Sequence, residues 1–207
     1  MNICVYGASS NAIDSIYISE VERLGELMAQ KGYGLVFGAG AQGLMGAAAR
    51  GVTKGGGTII GVAPSFFNVD GVLYDKCTEM IFTETMRERK QTMEDRADAF
   101  IMTPGGFGTF EEFYEILTLK QLKRHSKPIV VLNTNHYYDN MRDLIEAAMD
   151  QHFIKPACRV LYQFCNTPEE ALSYIEDYVE PEFDIRNMRM LEETFTYDMV
   201  EKTAKTR

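Results

Sequence analysis

Residues 104–112 read Pro-Gly-Gly-Phe-Gly-Thr-Phe-Glu-Glu, which sets three glycines, a hydroxyl and two carboxylates close together. Glycines let a backbone approach a ligand closely, and the N–H groups that open a helix attract phosphate. Thr109 adds a hydroxyl. Glu112 stands three residues on, so both side chains leave one face of a helix. The same spacing fits a capping box, in which Glu112 returns to the Thr109 backbone N–H. A capping box, however, has no use for the glycines before it. A second cluster, Met86-Arg87-Glu88-Arg89-Lys90, places three cations within four positions. That run suits an anionic ligand, or a solvated helix face with Glu88 and Glu94 as partners.

A third segment, Gly38-Ala39-Gly40-Ala41-Gln42-Gly43, matches the G-x-G-x-x-G of dinucleotide sites letter for letter. That fingerprint also needs an acid about 20 residues later, at the end of the next strand, to hold the ribose. Here the next strand runs into Ala63-Pro64 with no acid. The motif also follows the second apparent strand instead of the first. Nicotinamide binding is therefore disfavoured. A P-loop is excluded because G-x-x-x-x-G-K-[ST] does not occur. A fourth glycine-bearing loop, Gly7-Ala8-Ser9-Ser10, lies near the start of the chain.

These loops need elements to position them. Short apolar runs predict strands over 3–6, 34–37, 58–62, 77–82, 99–103 and 129–132. Helical periodicity predicts helices over 14–31, 44–54, 85–96, 109–124 and 139–150. Thr167-Pro168-Glu169-Glu170 opens one more, with an N-cap, a first-turn proline and acids. Alternation of this kind, with unbroken apolar strands, predicts an α/β fold: a doubly wound, mainly parallel sheet with helices on both faces. In such sheets ligands bind at the carboxyl ends of the strands, where the glycine loops fall. One domain is expected over 1–179. In the 180–207 tail, Ile185, Met188, Phe195 and Met199 follow a helical stripe suited to packing on the body or on a second subunit.

Composition narrows the function classes. The chain has 207 residues, 45% of them hydrophobic, enough for a core without disulfides or a structural metal. Its formal net charge is -9, which repels a phosphate backbone and argues against nucleic-acid binding. No run of about 18 apolar residues suggests a membrane span. The first ten residues lack the basic and apolar regions of a secretory signal. The cysteines (Cys4, Cys77, Cys158, Cys165) show no C-x-x-C spacing and read as small buried hydrophobes in a reducing cytoplasm. The histidines (His125, His136, His152) show no ligand spacing, so neither a metal nor a cofactor is expected.

The segments 86–90 and 104–112 together resemble the paired signatures of the Lonely Guy family, P-G-G-x-G-T-x-x-E and M-hydrophobic-x-R-K. Arg87 replaces the hydrophobic residue. The resemblance continues in Gly43-Leu44-Met45-Gly46, Gly55-Gly56-Gly57, Asp98-Ala99-Phe100-Ile101, Gln121-Leu122, Lys127-Pro128 and Tyr137-Tyr138, and spans roughly residues 2–178. Residues 65–82 match nothing in it, and Gly38-Ala39-Gly40 departs from its usual three glycines. The resemblance implies a modified Rossmann fold, usually dimeric, with active sites near the subunit interface. It implies hydrolysis of the N-glycosidic bond of an adenine-type nucleoside 5′-monophosphate, a cytokinin riboside 5′-monophosphate or AMP, to free base and ribose 5-phosphate. Carried over by position, Arg89 and Glu112 are the catalytic pair. Gly105, Gly106, Phe107, Gly108 and Thr109 hold the phosphate, and Met86 and Lys90 help line the pocket. Ser9, Gly40 and Gly43 complete the expected binding residues. Such families often carry the label lysine decarboxylase, but no lysine here has a cofactor-binding context.

The chemistry fits. Breaking a ribosyl–base bond builds positive charge on the sugar. A carboxylate beneath the ring stabilises that charge or activates water, and an arginine fixes the reacting geometry. Two alternatives stay open: a non-catalytic nucleotide or molybdenum-cofactor carrier, which needs neither Arg89 nor Glu112, and a dehydrogenase, which needs the missing acid.

Overall fold

The structure is a computed structural model and describes residues 1–182, so the expected tail stripe lies outside the described residues. Seven strands form one parallel sheet: β1 (Asn2–Tyr6), β2 (Gly34–Phe37), β3 (Ile59–Pro64), β4 (Glu79–Thr83), β5 (Ala99–Met102), β6 (Ile129–Leu132) and β7 (Gln163–Cys165). Their order is β4-β3-β2-β1-β5-β6-β7. The order reverses between β1 and β5, where Tyr6 pairs with Met102. The loops after these two strands therefore flank a crevice at the carboxyl edge.

Helices α1 (Ser15–Gln30), α2 (Gly43–Lys54), α3 (Met86–Arg96), α4 (Phe107–Gln121), α5 (Asp139–Asp150) and α6 (Pro168–Glu176) connect the strands. Successive residues of β1 serve opposite faces. Ile3 and Val5 pack with Val21, Leu44 and Leu172 from α1, α2 and α6. Cys4 and Tyr6 pack with Met93, Phe113 and Ile145 from α3, α4 and α5. This two-sided burial is why the strands lack polar alternation. Among the described residues, no helix is long and apolar enough to cross a membrane.

Side-chain caps set the starts of α1, α3 and α6. Asp14 accepts from Ile16 N–H at 3.0 Å, Thr85 from Glu88 N–H at 3.2 Å, and Thr167 from Glu170 N–H at 3.2 Å. Helix α4, like α2 and α5, has no such cap. It starts at Phe107, two residues before the expected boundary, and its N-cap Gly106 offers no side-chain acceptor. Strand β7 is too short to leave a pattern. Cys77 precedes β4 instead of lying in it. Cys4, Cys158 and Cys165 are buried, and burial pushes the Cys77 thiol up to about 11 and Cys165 to about 12.

Candidate active site

The N-terminal turns of α3 and α4 meet over the carboxyl ends of β1, β2 and β3. Arg89 is 7% exposed. Its Nε donates to the Val62 carbonyl at 3.2 Å and its Nη1 to Glu112 Oε1 at 3.1 Å. The neighbouring Arg87 is exposed, so the turn of α3 alone decides which arginine enters. Gly38 makes room for the guanidinium: a Cβ there would lie 1.8 Å from Arg89 Nη2. Burial pushes the Glu112 carboxyl above its ordinary value, and the Arg89 charge and hydrogen bond hold it partly back.

The capping-box alternative for Thr109 and Glu112 fails. Thr109 is the third residue of α4, not its cap, and Glu112 turns to Arg89. The solvated-face alternative for the 86–90 cations fails too. Glu88 accepts from the Glu84 N–H and closes the start of α3, while Arg89 and Lys90 reach across to α4.

A cavity of about 490 Å³ opens above the Arg89–Glu112 pair. Of the expected residues, Ser9, Gly40, Met86, Gly108 and Thr109 line it together with Arg89 and Glu112. Gly105 and Gly106 instead line a neighbouring cavity of about 240 Å³, with Ser10, Tyr17 and Tyr137. Three expected residues line neither. Phe107 is 92% exposed and faces outward. Lys90 Nζ pairs with Glu111 and, at 2.8 Å, with Glu115. Gly43 opens α2 at φ +60°, where a Cβ would lie 2.3 Å from the Ala8 carbonyl oxygen.

The opposite wall comes from residues that no motif marked. Phe67, Gly71, Val72 and Leu73 line the larger cavity from the 65–82 segment. That segment is tied to the 38–43 loop: Ala41 N–H donates to Val72 O at 3.0 Å and Tyr74 N–H to Ala39 O at 2.8 Å. With Met45 and Met86 these residues make that wall apolar. No lysine lines either cavity. Among the described residues, no group of three or more His, Cys, Asp or Glu side chains converges on a metal site.

The family model described as "Possible lysine decarboxylase" matches residues 45–175. Cytokinin riboside 5′-monophosphate phosphoribohydrolase LOG7 of Arabidopsis thaliana is 36% identical, over 88% of this chain and 83% of that protein. Cytokinin riboside 5′-monophosphate phosphoribohydrolase LOG of Oryza sativa subsp. japonica is also 36% identical, over 88% of this chain and 75% of its own length. The chain belongs to the Lonely Guy family. Solved structures support the fold alone. TM1055, at 22% identity, superposes with a TM-score of 0.67 over 86% of this chain and 99% of that one. The Moco carrier protein of Chlamydomonas reinhardtii, also 22% identical, gives 0.64 over 84% and 94%. The Lonely Guy assignment thus rests on sequence identity along most of the chain, and the shared architecture is common to proteins named as cofactor carriers.

Proposed function

We propose that the protein hydrolyses the N-glycosidic bond of an adenine-type nucleoside 5′-monophosphate, releasing the free base and ribose 5-phosphate. The observation that carries this is the buried Arg89–Glu112 pair at the foot of a cavity that the N-terminus of α4 also lines. The N–H groups that open α4 and the Thr109 hydroxyl receive the 5′-phosphate. That anchor places the ribose against Glu112. As the bond from the anomeric carbon to the base nitrogen breaks, its electron pair leaves with the base. Glu112 stabilises the positive charge left on the sugar and orients the incoming water. Water supplies the hydroxyl to the anomeric carbon and, net, the proton to the departing nitrogen. Arg89 holds the Glu112 carboxylate and fixes its distance to the sugar.

The apolar wall selects the base. Phe67, Val72, Leu73, Met45 and Met86 suit a hydrocarbon substituent on the adenine better than bare adenine. Partial burial of a five-carbon isoprenoid group, at about 0.8 kcal/mol per methylene, favours it by roughly 30-fold or more. The test is release of ribose 5-phosphate from AMP, isopentenyladenosine monophosphate and their nucleosides, assayed side by side. The monophosphates are expected to be turned over, the isopentenyl form faster, and the nucleosides poorly. Equal turnover of adenosine and AMP removes the phosphate from the recognition scheme.

A further inference from the structure

Three successive carbonyls of the glycine loop are tied to donors outside it. The Tyr138 hydroxyl donates to Thr103 O at 2.8 Å, the Ala8 N–H to Pro104 O at 3.0 Å, and the Tyr137 hydroxyl to Gly105 O at 2.8 Å. In a trans peptide the carbonyl and the following N–H point in opposite directions. Tying back the Gly105 carbonyl therefore turns the Gly106 N–H the other way. The Gly105–Gly106 peptide is the weak point of this arrangement. It has a glycine on each side, so no Cβ resists its rotation.

Tyr137, which guards that peptide, is placed with unusual care. The two residues before it, Asn135 (φ 50°) and His136 (φ 60°), both adopt left-handed backbone, a strained state that persists only where surroundings enforce it. Buried Asn133 enforces it, accepting from Tyr138 N–H at 2.7 Å and donating to Asp139 Oδ1 at 2.8 Å. Tyr17 packs edge-on against the Tyr137 ring at 5.8 Å. Yet Tyr137 is 42% exposed and lines the smaller cavity, so it is no core residue. Core satisfaction does not explain the bond to Gly105.

We propose that Tyr137 is a positioning residue: its hydroxyl holds the Gly105 carbonyl away from the anion, so that the loop meets a 5′-phosphate with the Gly106 N–H already aimed. The proposal rests on the phosphate role given to the 105–109 loop. Without the hydroxyl the peptide turns in a fraction of molecules, a carbonyl faces the anion, and apparent affinity falls by the competent fraction.

The test compares the full-length protein with Tyr137→Phe, and with Tyr33→Phe as a control whose hydroxyl bonds Glu176 on a distant surface. Calorimetry gives Kd for AMP, inorganic phosphate and adenosine, and melting is followed with and without phosphate. Tyr137→Phe is expected to weaken AMP and phosphate roughly tenfold, leave adenosine unchanged, and melt within a few degrees of the parent. Tyr33→Phe should match the parent throughout. Unchanged phosphate affinity in Tyr137→Phe, or an equal loss for adenosine, overturns the positioning role. A parent protein that binds neither AMP nor phosphate overturns both this proposal and the loop assignment. Phosphate binding that depends on Tyr137 in a protein without hydrolytic activity supports the positioning role and overturns only the proposed reaction.

Discussion

At Gly38 an added Cβ would lie 1.8 Å from the Arg89 guanidinium, and at Gly40 2.7 Å from the Met45 methyl, whereas at Gly106 and Gly108 it would meet nothing within 4 Å. The helix starts beside these loops differ in the same way. The first N–H groups of α2 are already filled: Gly43 donates to Asn11 Oδ1 at 2.7 Å and Leu44 to Ala8 O at 2.8 Å. The start of α4 has a bare glycine cap. The 38–43 loop thus spends its glycines on the protein's own side chains and backbone, and its helix has no donors left for a pyrophosphate. At Gly106 and Gly108 the second loop keeps its space open, and no side chain caps the helix that follows. A glycine motif signals close approach, but only the fold says whether a ligand or a neighbouring residue approaches.

The largest expected effect tests the service that the first loop gives to Arg89. Glu112→Gln keeps size and hydrogen bonding but removes the charge, and turnover should fall about 10²-fold or more. Arg89→Lys should behave similarly because lysine lacks the planar fork. Gly38→Ala should reproduce the loss with both residues still in the sequence, since its Cβ displaces the guanidinium. Full activity in Gly38→Ala would separate that loop from catalysis.

A smaller effect, about tenfold on the KM for a monophosphate, is expected from Gly108→Ala, which puts a methyl group into the open space. The same change should raise the melting temperature, because alanine is favoured over glycine inside a helix by about 1 kcal/mol. A variant that melts higher and binds as well as the parent would show that the space is not the ligand's.

The smallest effect concerns pH. The proposed reaction needs ionised Glu112, whose pKa burial raises above 4.5, so the acid limb of kcat/KM should lie above that value and rise with pH. Because the folded state holds this proton more tightly, Glu112 contributes stability below 4.5 that is lost as pH rises through its folded pKa. Arg89→Ala should move the limb further up, since a countercharge is lost. A limb at or below 4.5 contradicts the burial of this carboxylate.

Much of this was legible beforehand because period and punctuation carry it. The apolar strand runs, Thr167 as a cap, and the acid-free end of β3 are local features. Three features had no local signal. The start of α4 is set by Gly106, a cap without a side chain, so Thr109 and Glu112 looked like the cap. Arg87 and Arg89 are alike in sequence, and only the turn of α3 buries one and exposes the other. The wall formed by Phe67, Val72 and Leu73 comes from an irregular segment held by backbone bonds to residues 39 and 41, which leave no mark on side-chain pattern.

Phe107 shows what backbone recognition leaves free. Its side chain is 92% exposed and borders neither cavity, while its N–H helps open α4. What this position contributes to the loop is its amide, and any residue but proline has one. Drift in the gene can therefore recolour this point at the rim without touching the chemistry beneath it. A library of substitutions at Phe107 is the natural place to evolve new surface behaviour on an unchanged active site.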